Sequence, residues 1–372
     1  LITEAELAAL QAQVLWGAFA VGVLFGALAQ RTHFCTMGAV ADVVNMGDWS
    51  RMRMWAMAIA VAVIGFNAMV GLGWVRAADS IYSGARVIWL SNVLGGLLFG
   101  FGMVLASGCG SKTLVRIGGG SLKSLTVFFV LAIAAYATLR GVLAVARVNS
   151  LDAVGFALAP GQDLPSLLAA GTGLPLGQAA WLAGLAVGGS MLVWVLARPE
   201  GRQPEVLLGG AGIGATVVLA WWISGVPGHI AEHPATLEAS FVASSTRAME
   251  SLTFVAPMAY LVDWVILFSD ANRHLSMAVV SVLGVVSGSA LVALLRREFR
   301  WEGFAGTEDT ANHLVGAALM GVGGVLAMGC TVGQGLSGVS TLSLGSFVAL
   351  AGILGGAWLG VRYQAWRVER ML

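Results

Sequence analysis

Charge is what this chain has least of: Asp, Glu, Lys and Arg make up 10% of its 372 residues. A soluble domain carries about 25%, so an ordinary solvated surface is excluded. The formal net charge is +1 and no long basic run occurs, which argues against a nucleic-acid partner. No GxxxxGK[ST] loop is present, so the sequence offers no site for ATP hydrolysis. Cysteine is also scarce. Cys35, Cys109 and Cys330 lie far apart with no CxxC pair, which excludes a zinc ribbon and a thioredoxin-type motif. His229 and His233 sit between Pro227 and Pro234, where a surface loop is expected rather than a metal site. Neither a cofactor nor a metal is expected.

What fills the chain is apolar. Hydrophobic residues make up 58% of it, and 51 residues are glycine, nearly twice the usual share of about 7%. Glycine lets membrane helices approach closely and lets backbone leave the helix where a cavity is lined. The reading is an all-α polytopic membrane protein, one integral-membrane domain over residues 1–372. About nine transmembrane helices are expected, near 12–30, 54–74, 88–107, 124–146, 177–197, 205–224, 275–295, 311–329 and 344–363. Four broken apolar stretches, 31–50, 108–123, 251–268 and 330–343, are too short or interrupted to cross a core of about 30 Å. They are expected to be re-entrant segments that meet at the centre.

Placing the N-terminus outside puts 14 of the 20 Lys and Arg residues inside, which favours an N-out, C-in topology. The segments 147–176 and 225–250 then form outside loops or short interfacial helices.

The chain also repeats itself. "NVLGGLLFGFGMVLASGC" (92–109) matches "HLVGAALMGVGGVLAMGC" (313–330) at an offset of 221, and Ser124 lands on Ser346 after a one-residue slip. The first repeat covers 12–146, a linker helix 177–197, and the second repeat 205–363. Five spans precede the second repeat, so an inverted pseudo-two-fold arrangement is expected, with a site at the midplane.

Cys109 and Cys330 occupy equivalent places in this repeat, and Cys35 is crowded by Gln30, Arg31 and His33. A neutral thiol is a soft, weak S–H donor suited to a soft anion. Half-helix N-termini add free N–H groups. Lys112 and Arg116 are placed to draw an anion toward the cytoplasmic mouth, and Gln334 follows Cys330 closely enough to face the route. Asp42 and Asp263 are expected to cap or anchor helices near the membrane edge, and Arg140 and Arg147 to snorkel from the fourth span.

Three stretches, "FGALAQRTHFCTMGAVAD", "GCGSKTLVRIGGGSLKSL" and "MGCTVGQGLSGVSTLSLGS", resemble the three cysteine motifs of the YeeE/YedE family, in order and over nearly the whole chain. The chain departs from the family pattern at His33, where a cation is expected, and in "GSKTLVR". The resemblance implies a bacterial inner-membrane transporter, not an enzyme, that imports thiosulfate by relay between the thiols of Cys35, Cys109 and Cys330. It also implies a separate cytoplasmic sulfur-carrier protein of the TusA type as a partner. A transporter for another reduced-sulfur or selenium species, or a membrane thiol enzyme, is the alternative.

Overall fold

Thr3 starts the first helix with a reciprocal cap. Its hydroxyl accepts from the Glu6 amide at 3.3 Å and the Glu6 carboxylate accepts from the Thr3 amide at 2.8 Å. The computed structural model describes residues 3–234, 236–270 and 273–371. Helices dominate. In chain order they are α1 (Glu4–Arg31), α2 (Thr36–Met46), α3 (Ser50–Gly71), α4 (Trp89–Leu105), α5 (Gly110–Gly118), α6 (Leu122–Leu139) and α7 (Val142–Asn149). Then follow α8 (Leu164–Thr172), α9 (Leu176–Leu196), α10 (Pro204–Gly225), α11 (Val255–Ile266), α12 (Met277–Leu295), α13 (Thr307–Leu326) and α14 (Leu344–Met371). Two small antiparallel pairs stitch loops together: β1 (Arg86–Val87) with β2 (Phe156–Ala157), and β3 (His229–Ile230) with β4 (Ser240–Phe241).

Among the described residues, eight helical stretches are long and apolar enough to cross a membrane. They contain α1, α3, α4, α6, α9, α10, α12 and α14. The remaining long helix, α13, has 20 residues and opens with the charged Glu308 and Asp309. It stands where the span 311–329 is expected. Large apolar side chains such as Ile133, Leu185, Val193 and Leu294 remain exposed along these helices, as a lipid-facing surface requires.

The four broken stretches hold short helices. α2, α5 and α11 have 11, 9 and 12 residues. At 1.5 Å per residue even α11 is about 18 Å long, too short for a core of about 30 Å. The fourth holds a π-helical turn, Gly333–Gly338.

One span is shorter than its composition suggests. The apolar run continues to Ala146, but α6 ends at Leu139, and Gly141 takes an extended conformation that starts α7 in a new direction. Arg147 accordingly does not snorkel from a long helix. It pairs with Asp152 at 3.1 Å.

Lipid gives no hydrophobic reason for helices to associate, so close backbone packing supplies the contact. α4 packs on both α13 and α14, and the α4–α13 crossing is made of glycine. A Cβ on Gly102 would stand 2.7 Å from the Gly316 carbonyl oxygen, and one on Gly316 2.6 Å from that of Gly102. The pair Gly95 and Gly323 is equally close, each 2.7 Å from the other's carbonyl oxygen. The two helices therefore run antiparallel. A Cβ on Gly100 would strike the Ile353 carbonyl, and one on Gly321 the carbonyl of Leu131.

Helix α9 lies on α3 through Gly184, opposite Asn67, and through Arg53. The buried Arg53 donates to the carbonyls of Trp194 at 2.5 Å and Val195 at 3.3 Å, and its guanidinium stacks 4.5 Å from the Trp194 ring centre.

Candidate functional site

The three cysteines share one backbone setting. Each follows a long helix, α1, α4 or α13, that ends in a left-handed residue two positions before the sulfur. These residues are His33, Ser107 and Met328, with φ of 52°, 54° and 58°. In each case the next amide, of Phe34, Gly108 or Gly329, donates back to the carbonyl five residues earlier, at 3.2, 2.8 and 2.8 Å. That closure ends the helix and turns the chain sharply. The cysteine is then the first residue of the new direction. Cys35 and Cys109 are the N-caps of α2 and α5, and Cys330 precedes the π-helical turn.

Donors surround the sulfurs. The Gly38 amide donates to Cys35 Sγ and the Gly333 amide to Cys330 Sγ, both at 3.3 Å. Cys109 Sγ lies 3.2 Å from the Ser111 hydroxyl. Cys109 and Cys330 are buried, and Cys35 is half-buried. Cys109 stands within electrostatic reach of both other thiols, so the three form a series with Cys109 in the middle.

Cys35 ends the series on the side of Lys112 and Arg116, which lie within electrostatic reach of its sulfur. Both cations line a cavity of about 470 Å³ together with His33, Gln30, Glu298 and Arg300. The structure thus brings Lys112, Arg116 and His33 together, and it places Arg31 elsewhere. Arg31 pairs with Glu205 at the start of α10, 3.7 Å away, and does not line this cavity. Arg51 is a cation the sequence reading did not single out. Its Nη1 lies 2.7 Å from where a Cβ on Gly38 would stand, beside the Cys35 sulfur.

Cys330 ends the series on the other side. The whole stretch from Cys330 to Ser343 is buried, although it holds five hydroxyl residues and Gln334. Several of its polar groups are met by protein: Asn67 donates to the Ser340 carbonyl at 2.9 Å, Trp221 to the Ser340 hydroxyl at 2.9 Å, and Ser343 to the Tyr82 carbonyl at 2.6 Å. Gln334 donates to the Ala327 carbonyl at 2.5 Å, tying the π-helical turn to the end of α13. Its Oε1, the Tyr82 hydroxyl and the Thr331 hydroxyl are buried with no hydrogen-bond partner among the described residues. Tyr82 and Thr253 hydroxyls flank Gly333. Thr253, Met328 and Gly329 also line a second cavity of about 490 Å³ with Glu250, Arg147 and Tyr260. The turn before Cys35 thus lines one cavity through His33, and the turn before Cys330 lines another through Met328 and Gly329.

Asp42 and Asp263 stand apart from this line. Asp42 pairs with Arg51 at 3.3 Å. Asp263 pairs with Arg273 at 3.1 Å and accepts from the Tyr136 hydroxyl at 2.7 Å.

A family described as sulphur transport matches residues 31–359, which takes in all three cysteine turns. The chain belongs to this family. It is 25% identical over 346 residues to the thiosulfate transporter TsuA of Escherichia coli, covering 91% of each chain. It is 23% identical over 357 residues to the thiosulfate transporter TsuA of Spirochaeta thermophila, covering 93% of this chain and 97% of the relative. A shorter match, 33% identical over 118 residues, is to the probable transporter YedE of Salmonella typhimurium. The protein is thus a multi-pass membrane member of a transport family. Its three cysteines follow helix-ending turns, two of which line cavities.

Proposed function

We propose that this protein carries thiosulfate across the bacterial inner membrane into the cytoplasm, passing it from Cys330 to Cys109 to Cys35. The observation that carries this reading is the series of three thiols. All follow the same helix-ending turn, Cys109 is within electrostatic reach of the other two, and the turns before Cys330 and Cys35 line one cavity through Met328 and Gly329 and another, shared with Lys112 and Arg116, through His33. Two relatives matched over nearly their whole length are thiosulfate transporters.

A buried S–H group gives a weak hydrogen bond, and backbone amides of Gly38 and Gly333 add donors beside two of the sulfurs. Weak successive sites hold a soft anion and release it. No covalent step is required, which favours a transporter over an enzyme. Gln334 shapes the turn behind Cys330 and is assigned to the path through its unpartnered Oε1. Lys112, Arg116 and His33 form the cytoplasmic mouth, and Arg31 instead anchors the end of α1 to the start of α10.

Orientation follows from charge: with the N-terminus outside and the C-terminus in the cytoplasm, the Lys112 end faces the cytoplasm. The two repeats, 12–146 and 205–363 around the linker 177–197, are read as inverted copies. The reciprocal glycine contacts support this: Gly95 meets Gly323 as Gly316, its equivalent, meets Gly102. A separate carrier protein of the TusA type is the proposed recipient at the cytoplasmic mouth. Its consumption of sulfur would help to offset a membrane potential that opposes a dianion by about 2.3 kcal/mol per charge per 100 mV.

The test is growth on thiosulfate as the only sulfur source, in a bacterium lacking its other sulfate and thiosulfate importers. The parent supports growth; Cys109→Ala and Cys330→Ala, expressed to the same level in the membrane, do not. Growth of both variants at the parental rate overturns the thiol relay. A persulfide trapped on these cysteines during turnover would favour a sulfur-transferring enzyme instead.

A further inference from the structure

Glu250 is a buried carboxyl group that the thiol series does not use. It lies in the connection between α10 and α11, outside the spanning helices, and is 4% exposed. Its two oxygens differ. Oε1 accepts from the Thr246 hydroxyl at 2.9 Å and from the amides of Ser245 and Thr246 at 2.9 and 3.0 Å, and the Ser244 hydroxyl, 2.9 Å away, shares its one proton between Oε1 and the Ala248 carbonyl. Oε2 is buried and has no hydrogen-bond partner among the described residues. The residue lines the 490 Å³ cavity whose floor, Met328 and Gly329, immediately precedes Cys330. That volume falls within the roughly 300–1,000 Å³ of small-molecule sites.

An ionised carboxylate leaves Oε2 with charge and no donor, buried in the wall of a cavity that an anion is to cross. A carboxylic acid removes both problems. Oε1 has its lone pairs taken, so the proton belongs on Oε2, the buried oxygen of a residue in the cavity wall.

Among the described residues, the cation that lines the cavity with Glu250 is paired, and Arg247, the cation of the loop that wraps Glu250, is exposed. Arg147, from α7, shares the cavity but is paired with Asp152. Asp79, whose carbonyl accepts from the Met249 amide, is paired with Arg76 at 2.9 Å. α11 presents Tyr260, the segment after α3 presents Tyr82, and both feel the charge of Glu250. α10 and the start of α12 contribute only hydroxyls near it, those of Ser224 and Ser276.

We propose that Glu250 is a proton-binding site of the outer vestibule, and that an anion occupies this vestibule together with one proton on Glu250 Oε2. The proposal rests on the transport reading above for the identity of the anion alone. The proton comes from the aqueous phase at this end and returns to it once the anion has moved on to Cys330. Burial pushes the Glu250 carboxyl above the ordinary carboxylate range, and the bonds from Ser244, Thr246 and Ser245 oppose that rise. The sign follows. Anion binding is strongest below the raised value and weakens as pH rises through it, because the proton must then be gained on binding. The limiting slope for one linked proton is about tenfold in affinity per pH unit.

The experiment measures sodium thiosulfate binding to the full chain in nanodiscs, by calorimetry at several pH values in two buffers of different ionisation enthalpy. The parent is expected to take up close to one proton per anion at high pH and to lose affinity with the slope given. Glu250→Gln keeps the oxygen acceptor and places an N–H donor where the acid has its O–H. It is expected to bind thiosulfate with a flat pH profile and no proton uptake. Equal slopes in parent and variant, or no proton uptake by the parent, overturn the proposal and leave the thiosulfate reading standing. A second measurement needs no anion: the infrared carbonyl band of a protonated carboxyl group. The parent should show a band that titrates and that Glu250→Gln lacks. Its absence overturns the proton site, whereas its presence without thiosulfate binding at any pH overturns the substrate reading alone. The parent measurements stand even if the variant fails to fold.

Discussion

The amide of Gly333 donates to the sulfur of Cys330, and the space a side chain would need at Gly333 is already taken by the Thr253 hydroxyl. Gly333→Ala therefore forces Thr253 to move or tilts the donor away from the thiol. Uptake of thiosulfate is expected to fall at least about tenfold, the equivalent of roughly 1.4 kcal/mol, with little loss of folded protein. Adding Thr253→Ala to the same variant removes the collision and should restore part of the rate. Comparing the single and double variants in an uptake assay checks this.

The glycine crossing of α4 and α13 predicts a pair of matched stability losses. Gly102→Ala and Gly316→Ala each push a methyl group against a carbonyl oxygen of the other helix, at 2.7 and 2.6 Å. Overpacking of this kind costs about 1–3 kcal/mol. Thermal unfolding in detergent should show both variants lowered by similar amounts. Gly189→Ala on α9, where a Cβ meets nothing within 4 Å, should leave the midpoint unchanged.

Two cations near the same end of the molecule are expected to behave differently. Lys112 lines the cavity beside Cys35, and Arg31 does not. Lys112→Gln should slow uptake several-fold and flatten its dependence on ionic strength, since the removed charge acts on a moving anion. Arg31→Gln breaks only a 3.7 Å surface pair with Glu205, worth about 0–1 kcal/mol. Its uptake should match the parent.

Asp263 is bound by Arg273 and Tyr136 from two directions. Asp263→Asn is expected to lower the unfolding midpoint modestly, by the equivalent of about 1 kcal/mol, and to leave the pH profile of uptake as it is. A pH profile that flattens in Asp263→Asn, but not in Glu250→Gln, would move the proton-linked role from Glu250 to Asp263.

The long helices were legible because a run of apolar residues long enough to span lipid has few other solutions. The end of α6 was not. The residues after Gly141, "VLAVA", continue the apolar run beyond Arg140, and the extended backbone of Gly141 is what marks the turn. The cysteines could be singled out by the repeat and by their glycine neighbours. The turn that holds them could not, because its left-handed residue is His33, Ser107 or Met328 rather than glycine. Sequence proximity to Cys35 points Arg31 at the thiol, whereas its position on the last turn of α1 sends it toward α10. Glu250 carried a faint signal. A lone acidic residue abutting "SLTFVAPMAY" looks like the last solvated residue before an apolar run, and only the packing around it shows a buried oxygen with no donor.

The stretch from Cys330 to Ser343 has a consequence for how the chain is assembled. Its hydroxyls and amides would each cost several kcal/mol if left to lipid, and two of their partners, Asn67 and the Tyr82 carbonyl, are made far earlier in the chain. During biogenesis this stretch emerges long after α3 and settles into a receptor that α3 and the residues after it have already built. The first part of the protein thus acts as an internal chaperone for the last. A fragment beginning after α9 should be cleared by membrane quality control unless the missing part is co-expressed.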